Sequence, residues 1–427
     1  MSATAANTID AATSPAYGIP SELELNRIAR FLVWFAIISV LFLGQIAYNI
    51  GEFPLASDLL SYALIVIYLL LSGYAALSVP SLFIYISAVA IAALRVPFAT
   101  STTSWSSFLL LCVLYAPFMF RLVRRPGLGP VLDYVLKAYV LAATIIAVVA
   151  IVQLVAVNIT KLDILTNIYF VLPKEVRGAG TYTFYREGGG GLVKANGFFL
   201  RESADLSLVT GLALLIEYRS QRRLYYLALL AAGLLSSFSG SGMIAVIAGL
   251  LLPKSWSRTP VFVAYACGFV LLIVVLSSLD DPFLNIWLGR FSEFGKPNTS
   301  AYARFVAPWE MVQNSFNSGL FATWLGKGAG SYFRDLATYR YTYEVADPTW
   351  AKVTYEYGVV GLLLFLALVI VRLYSSSMRI EACHFLVVSW IGFSFLLKPG
   401  YALLIWLLTL IPKAAIAPGA PRHEQPP

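Results

Sequence analysis

The fold of this chain is decided where polar sequence gives way to apolar sequence, in DPTWAKVTYEYGVVGLLLFLALVIV at positions 347–371. The run 353–371 approaches the roughly 20 apolar residues that a helix needs to cross a bilayer. Ahead of it lies a polar loop, 279–352, which is rich in Arg, Lys, Asp, Glu, Trp and Tyr. A long charged loop between apolar segments is more often functional than a plain connection.

Composition extends this pattern to all 427 residues. The chain is 59% hydrophobic and 12% charged, with a mean hydropathy of +0.77. Soluble domains carry about 25% charged residues, so the balance predicts an all-α polytopic membrane protein. About twelve transmembrane helices are expected, or as few as ten because several candidates are short. The candidate spans are 30–48, 59–78, 80–95, 103–120, 132–156, 203–218, 224–238, 240–253, 260–278, 353–371, 384–397 and 400–412.

Basic residues occupy alternate short loops between these segments. One set of loops holds Arg121, Arg124, Arg125, Arg219, Arg222, Arg223, Lys254, Arg258, Arg372 and Arg379. The short loops of the other set hold a single basic residue, Lys398. Because basic loops stay on the cytoplasmic side, this alternation predicts that both termini are cytoplasmic. The net charge of +8 is therefore a topology signal, and its scatter over loops argues against nucleic-acid binding.

The same orientation predicts the organisation of the chain. A cytoplasmic tail (1–28) precedes a transmembrane domain (29–412), and a second cytoplasmic tail (413–427) follows it. Two large loops, 157–201 and 279–352, are expected on the extracytoplasmic side. In the second, 302–317 has apolar residues at helical spacing and predicts an amphipathic helix at the membrane surface. The glycines of 326–330 predict a flexible turn.

Several kinds of chemistry are disfavoured. Cys112, Cys267 and Cys383 fall in or beside apolar segments, and both histidines, His384 and His423, fall on the cytoplasmic side. No disulfide framework or extracytoplasmic metal site is therefore expected, and no cofactor. No acid or base falls clearly at a span centre, which argues against ion-coupled transport but leaves a passive carrier open.

Charge is gathered instead in the two extracytoplasmic loops. This layout is typical of an enzyme that acts on an amphiphile, whose polar head reaches the loops while its tail stays in lipid. Arginines on both loops favour an anionic head, because guanidinium binds phosphate in a bidentate way and keeps its charge. A nearby carboxylate would act as the general base, and Trp and Tyr rings are suitable platforms for sugars.

Four segments resemble the Wzy-type polysaccharide polymerase and O-antigen ligase superfamily. They are Asn196-Gly197-Phe198-Phe199-Leu200-Arg201-Glu202-Ser203-Ala204 at the start of a span, Ser237-Phe238-Ser239-Gly240-Ser241-Gly242, Arg304 to Trp309 followed by Gly326-x-Gly328-x-Gly330, and Asp347-Pro348 with Glu356-Tyr357-Gly358-Val359-Val360-Gly361. The resemblance covers about 190–375 together with the overall topology. The second segment departs from the family pattern, with Ser241-Gly242 where Ser-Arg is more usual.

The resemblance implies a GT-C-like, metal-independent glycosyltransferase of the bacterial inner membrane, active on its periplasmic face. Such enzymes join oligosaccharide repeat units carried on undecaprenyl diphosphate, and work alongside a flippase and a chain-length regulator. The ligase branch has His where this chain has Asp347, which favours the polymerase branch. A ligase that transfers finished glycan to lipid A core or protein stays open, as does a flippase or transporter of lipid-linked oligosaccharide.

Eight residues are the predicted site. Catalysis is assigned to Asp347, Arg304 and Glu202, and substrate binding to Arg201, Arg290, Arg177, Trp309 and Tyr343. Most of them have a plainer alternative. Arginines and tryptophans at membrane interfaces are often anchors, and Asp347 ahead of a proline fits a helix N-cap region.

Overall fold

The computed structural model describes residues 27–50, 53–97, 103–123, 128–177, 193–277, 293–297, 299, 301–339 and 342–413. These residues are mostly helical. The first nine helices are α1 (Arg27–Leu41), α2 (Ser57–Leu71), α3 (Val79–Arg95), α4 (Trp105–Tyr115), α5 (Leu128–Thr160), α6 (Ser203–Arg219), α7 (Leu224–Ser236), α8 (Gly240–Leu251) and α9 (Thr259–Ser277). Six more are α10 (Ala307–Asn317), α11 (Leu320–Leu325), α12 (Ser331–Tyr339), α13 (Thr349–Tyr374), α14 (Ile380–Gly392) and α15 (Pro399–Leu408).

Every apolar segment predicted from the sequence coincides with one of these helices. Two described stretches, Pro130–Thr160 and Thr349–Tyr374, are long and apolar enough to cross a membrane, and seven further apolar helices are shorter. The segment predicted at 30–48 is helical only to Leu41. Its last residues turn and form strand β1 (Ala47–Ile50), which pairs antiparallel with β2 (Phe53–Ala56).

Helix α6 lies at the centre of the main core and is buried along almost its whole length. It packs against α5, α7, α8 and α14. Glycines allow these helices to approach closely, because a Cβ at Gly242 would lie 2.0 Å from the carbonyl oxygen of Ser207. A Cβ at Gly233 would lie 2.5 Å from Cβ of Ala147. The sequence therefore builds a tight bundle around a helix that also begins at the predicted site.

Basic residues meet at one end of this bundle, which we call the basic end. Glu381 at the start of α14 pairs with Arg219 of α6 (Nε–Oε1 3.3 Å) and with Lys254 beyond α8. The buried Arg372 donates to the backbone carbonyls of Phe118 and Phe120. A second two-stranded antiparallel sheet, formed by β3 (Ala75–Leu77) and β4 (Phe120–Leu122), lies here too. Loops predicted to share one side of a membrane thus lie together.

The described part of the 279–352 loop forms a small core with the first turns of α13, made of Ala307, Met311, Val312, Tyr332, Val345, Ala351 and Tyr355. The predicted helix over 302–317 is present as a π-turn, Tyr302–Val306, continued by α10. The apolar face of α10 is divided, since Val312 is buried in the loop core while Trp309 is 47% exposed. The helix therefore has a protein partner in α13, a contact the sequence did not predict.

The 326–330 turn is packed against α13, contrary to the flexible turn predicted. The backbone N–H groups of Lys327 and Gly328 donate to the carbonyls of Tyr355 and Glu356, at 2.8 Å each. Helix α13 is broken at this point, because Gly358 has φ +70°. A Cβ on Gly358 would lie 2.2 Å from the carbonyl oxygen of Trp324, so glycine is required for this contact. The turn and the break in α13 form one interlocked unit, which we call the glycine clasp.

Candidate functional site

Two of the predicted site residues, Glu202 and Arg304, meet at the opposite end of the bundle, in an open cleft. The starts of α6 and α15, the end of α14, the π-turn and the residues before α13 all contribute. Its lining residues are Glu202, Ala204, Asp205, Leu208, Arg304, Ala346, Pro348, Gly392, Phe393, Ser394, Phe395 and Lys398. Two of the three predicted catalytic residues, Glu202 and Arg304, therefore share one cleft with residues on either side of the third.

Arg304 joins three parts of the chain that are distant in sequence. It lies in the π-turn, and its Nη1 donates to Oγ of Ser241 at 3.3 Å. Its Nη2 lies 3.9 Å from Oε2 of Glu202. The start of α8 is positioned for this contact because the Ser239 side chain caps the helix and the Gly242 N–H donates to Ser207 of α6. Three of the four segments that carry the family resemblance thus meet at one guanidinium.

Glu202 and Asp205 supply two carboxyl groups to the same cleft. Glu202 occupies the N-cap position of α6 and Asp205 lies in the first turn, and both side chains line the cleft. Burial is the main reason that the pKa of Glu202 is raised above its usual value of 4.5, and the neighbouring Asp205 raises it further. The positive charges of Lys398, Arg304 and Arg201 oppose this shift of the Glu202 pKa without cancelling it.

Lys398 brings a cation to the cleft from the turn before α15. Its Nζ lies 3.6 Å from Oδ1 of Asp205, and the Tyr401 hydroxyl donates to the same oxygen at 3.3 Å. Sequence reasoning did not include Asp205 or Lys398 in the site. Two signals in the sequence could have indicated them. Asp205 follows Glu202 by three residues, and Lys398 is the single basic residue in the short loops predicted on the extracytoplasmic side.

Asp347 lies at the rim of the cleft, where its chain neighbours Ala346 and Pro348 contribute to the lining. Its Oδ2 is 3.4 Å from Nζ of Lys352, one turn into α13. Pro348 occupies the N-cap position of α13, and no side-chain hydrogen bond caps this helix. Asp347 therefore does not cap α13, and its carboxylate pairs with Lys352 instead.

The remaining predicted residues are spread around this centre. Arg201 is adjacent to Glu202, and its positive charge opposes the rise in the pKa of that carboxyl. Arg177 donates to the Leu172 carbonyl and packs over Tyr169 in the first loop. Arg177 does not line the cleft. Arg290 lies outside the described residues.

An aromatic cluster adjoins the cleft through a backbone hydrogen bond from Ala346 N–H to Ala303 C=O, 2.9 Å long. The Tyr302 and Tyr343 hydroxyls both donate to the Glu310 carboxylate. This contact raises the pKa of Tyr302 above its usual value. The indole rings of Trp309 and Trp350 lie nearby, with centroids 6.3 Å apart. Predicted binding residues Trp309 and Tyr343 thus belong to an aromatic surface beside the charged centre.

A small apolar cavity lies between α5, α6, α14 and α15 and shares two lining residues, Leu208 and Phe395, with the cleft. Its walls include Tyr139 and Trp390. A charged cleft next to an apolar cavity is an arrangement suited to an amphiphile with an anionic head. Within the described residues, no three His, Cys, Asp or Glu side chains are grouped to hold a metal ion.

Comparison with known proteins adds no family assignment: no protein-family model matches the chain, and no curated protein matches it.

Proposed function

We propose that this chain is a glycosyltransferase of the bacterial inner membrane that joins lipid-linked oligosaccharide repeat units into a surface polysaccharide or exopolysaccharide. The observation that carries the proposal is the contact of Arg304 with Ser241 and Glu202, at 3.3 and 3.9 Å. These residues come from three of the segments that resemble the Wzy-type polymerase and O-antigen ligase superfamily. Segments that resemble a family in sequence order are here brought together at one arginine.

A GT-C-like architecture with about twelve transmembrane helices is part of the proposal. It is supported by the apolar helices and by basic residues at the end of the bundle remote from the cleft. With the basic end cytoplasmic, the cleft faces the periplasm. Cysteines introduced at Ser318 and Gln221, after replacement of the three native cysteines, test this orientation. An impermeant maleimide should label Ser318→Cys in intact spheroplasts but label Gln221→Cys only after lysis; the reverse result refutes it.

The cleft contains the groups that glycosyl transfer needs. In the proposed reaction, a hydroxyl oxygen of the acceptor sugar attacks the anomeric carbon of the donor. The bond from that carbon to the diphosphate oxygen breaks, and undecaprenyl diphosphate leaves with the electron pair. Arg304, with Arg201 nearby, stabilises the charge on the leaving group. The hydroxyl proton passes to a carboxylate.

Two carboxylates compete for the role of base. Asp347 corresponds to the family's His position, but it is paired with Lys352 at the rim. Glu202 lines the cleft itself, and its raised pKa makes it a stronger proton acceptor once it is ionised. Both remain assigned to catalysis in the proposal, and substitution by the matching amide distinguishes them.

The test is the length distribution of the glycan. Deletion of the gene should leave single repeat units in place of a polymer ladder, and the intact chain should restore the ladder. A ligase would instead leave full-length polymer on its lipid carrier, unattached to lipid A core or protein. A flippase would leave repeat units on the cytoplasmic leaflet, inaccessible to periplasmic glycosidases. Either result would replace the polymerase proposal with the alternative concerned.

A further inference from the structure

Lys398 is a positively charged residue of the cleft that is held in place by its neighbours and has no role in the proposed reaction. Its side chain is 23% exposed and its ammonium lies over two stacked rings, 5.4 Å from the Phe395 centroid and 5.9 Å from that of Tyr401. The rings themselves stack at 3.5 Å. Asp205 holds the ammonium from a third direction. A lysine with three such contacts loses less conformational freedom on binding an anion than a solvated one does.

The contacts that hold the two cations of the cleft are long. Arg304 lies 3.9 Å from Glu202 and Lys398 lies 3.6 Å from Asp205, whereas a strong charge-assisted hydrogen bond measures about 2.7–2.9 Å. Each carboxylate therefore neutralises its cation only in part, and both cations can take a better acceptor. Two cations from separate elements, α15 and the π-turn, match a ligand with two linked anionic groups.

We propose that Lys398 and Arg304 together bind a diphosphate group, and that Asp205 positions Lys398 for this contact. The inference rests on the proposed function and deepens it, since it assigns the diphosphate to a specific pair of side chains. Lys398 supplies the point charge and Arg304 the planar fork. The adjoining apolar cavity shares Leu208 and Phe395 with the cleft, which favours a prenyl diphosphate over the inorganic anion.

The site is tested by binding, without any requirement for turnover. The full chain is reconstituted in nanodiscs of zwitterionic lipid and titrated calorimetrically with inorganic pyrophosphate and with a short prenyl diphosphate. Lys398→Met should weaken prenyl diphosphate binding about tenfold to a hundredfold, as expected for one lost charge-assisted contact, while Lys398→Arg should stay within a few fold of wild type. The matched control is Lys254→Met, which removes a lysine paired with Glu381 at the basic end and should leave binding unchanged.

Folding and ligand source have their own controls. Lys398→Met leaves Asp205 without its cation, so the double variant Lys398→Met/Asp205→Asn keeps the local charge balanced and should show the same loss of binding. Unchanged prenyl diphosphate affinity in a folded single or double variant overturns the inference. Equal competition by phosphatidylglycerol in the nanodisc also overturns it, because the cleft would then be a phospholipid head-group site.

The outcomes separate this inference from the proposed function. Binding that depends on Lys398 in a chain that makes no polymer would support the diphosphate site and refute the polymerase. A polymerase whose diphosphate affinity does not depend on Lys398 would refute the site alone.

Discussion

Replacing Arg304 by alanine separates two roles that the sequence leaves open, a membrane anchor and a group that binds the leaving diphosphate. The contacts of the Arg304 side chain determine how much it contributes to the stability of the fold. Its contacts are a 3.3 Å hydrogen bond to Ser241 and a 3.9 Å ion pair to Glu202, and both partners of the pair are partly exposed. Such a pair is worth about 0–1 kcal/mol, so Arg304→Ala should lower stability only slightly.

The expected effect on the reaction is larger. Loss of a charge-assisted contact to a partly desolvated phosphate raises the barrier by about 2–4 kcal/mol, which corresponds to a rate lower by about 30- to 1,000-fold. Lysine should restore little of this, since it keeps the charge but not the bidentate fork. The expected effect on the rate is larger than the expected effect on stability, so the substitution distinguishes the two roles.

The assay measures polymer formed per unit of folded protein. Membranes containing wild type, Arg304→Ala or Arg304→Lys are supplied with lipid-linked repeat units, and the ladder is followed over time. Thermal unfolding in detergent, monitored by size-exclusion chromatography, gives the stability of each variant. An alanine variant that polymerises at the wild-type rate would leave Arg304 as an anchor only. A variant that loses polymer only in proportion to its folded fraction would refute the catalytic role equally.

Three further predictions follow from the site and from the glycine clasp. Asp347→Asn should fold normally and accumulate single repeat units, with a rate about 10²- to 10⁴-fold lower if this carboxylate is the base. Gly358→Ala should lower stability by about 2–4 kcal/mol, because its φ of +70° disfavours a side chain and a Cβ would meet the Trp324 carbonyl at 2.2 Å. Burial raises the pKa of Glu202 above 4.5, so the native chain binds more protons than the unfolded one just above that pH. The free energy of unfolding should therefore fall as pH rises through this window, and Glu202→Gln should flatten that fall.

Each of these has a contrary outcome. A normal polymer ladder from Asp347→Asn would transfer the proposed base role to Glu202. For the clasp, Gly268→Ala is the matched control, because a Cβ there meets nothing within 4 Å; equal melting temperatures for the two glycine variants would show that the clasp contributes no stability. A pH dependence of unfolding that is the same in Glu202→Gln and wild type would mean that another group sets it.

The apolar helices could be predicted closely, because each follows a continuous apolar run bounded by polar residues or proline, whereas the short helices α11 and α12 were not predicted. The site could be predicted in part. Arg304 and Glu202 lie within the segments that resemble a known family, whereas Asp205 and Lys398 lie outside them and are indicated only by the spacing of Asp205 from Glu202 and by the isolation of Lys398. The pairing of Asp347 with Lys352 was also outside what the sequence gives, because it depends on the rotation of α13 relative to the loop. Long-range packing decides the contact of Lys398 with Asp205, and periodicity carries no information about that packing.

The break in α13 has a consequence for how the chain is made. A segment that leaves the ribosome enters the bilayer according to its local hydrophobicity, and the first turns of α13 carry Lys352 and Glu356, which are 5% and 0% exposed in the folded protein. These turns are covered by the loop that is synthesised just before them, through the hydrogen bonds of residues 326–330. In the proposed topology that loop is exported across the membrane before α13 is inserted. We therefore expect the apolar part after Gly358 to insert first, and the charged half to reach its final position only when the exported loop closes over it, so that assembly of the site is the last stage of biogenesis.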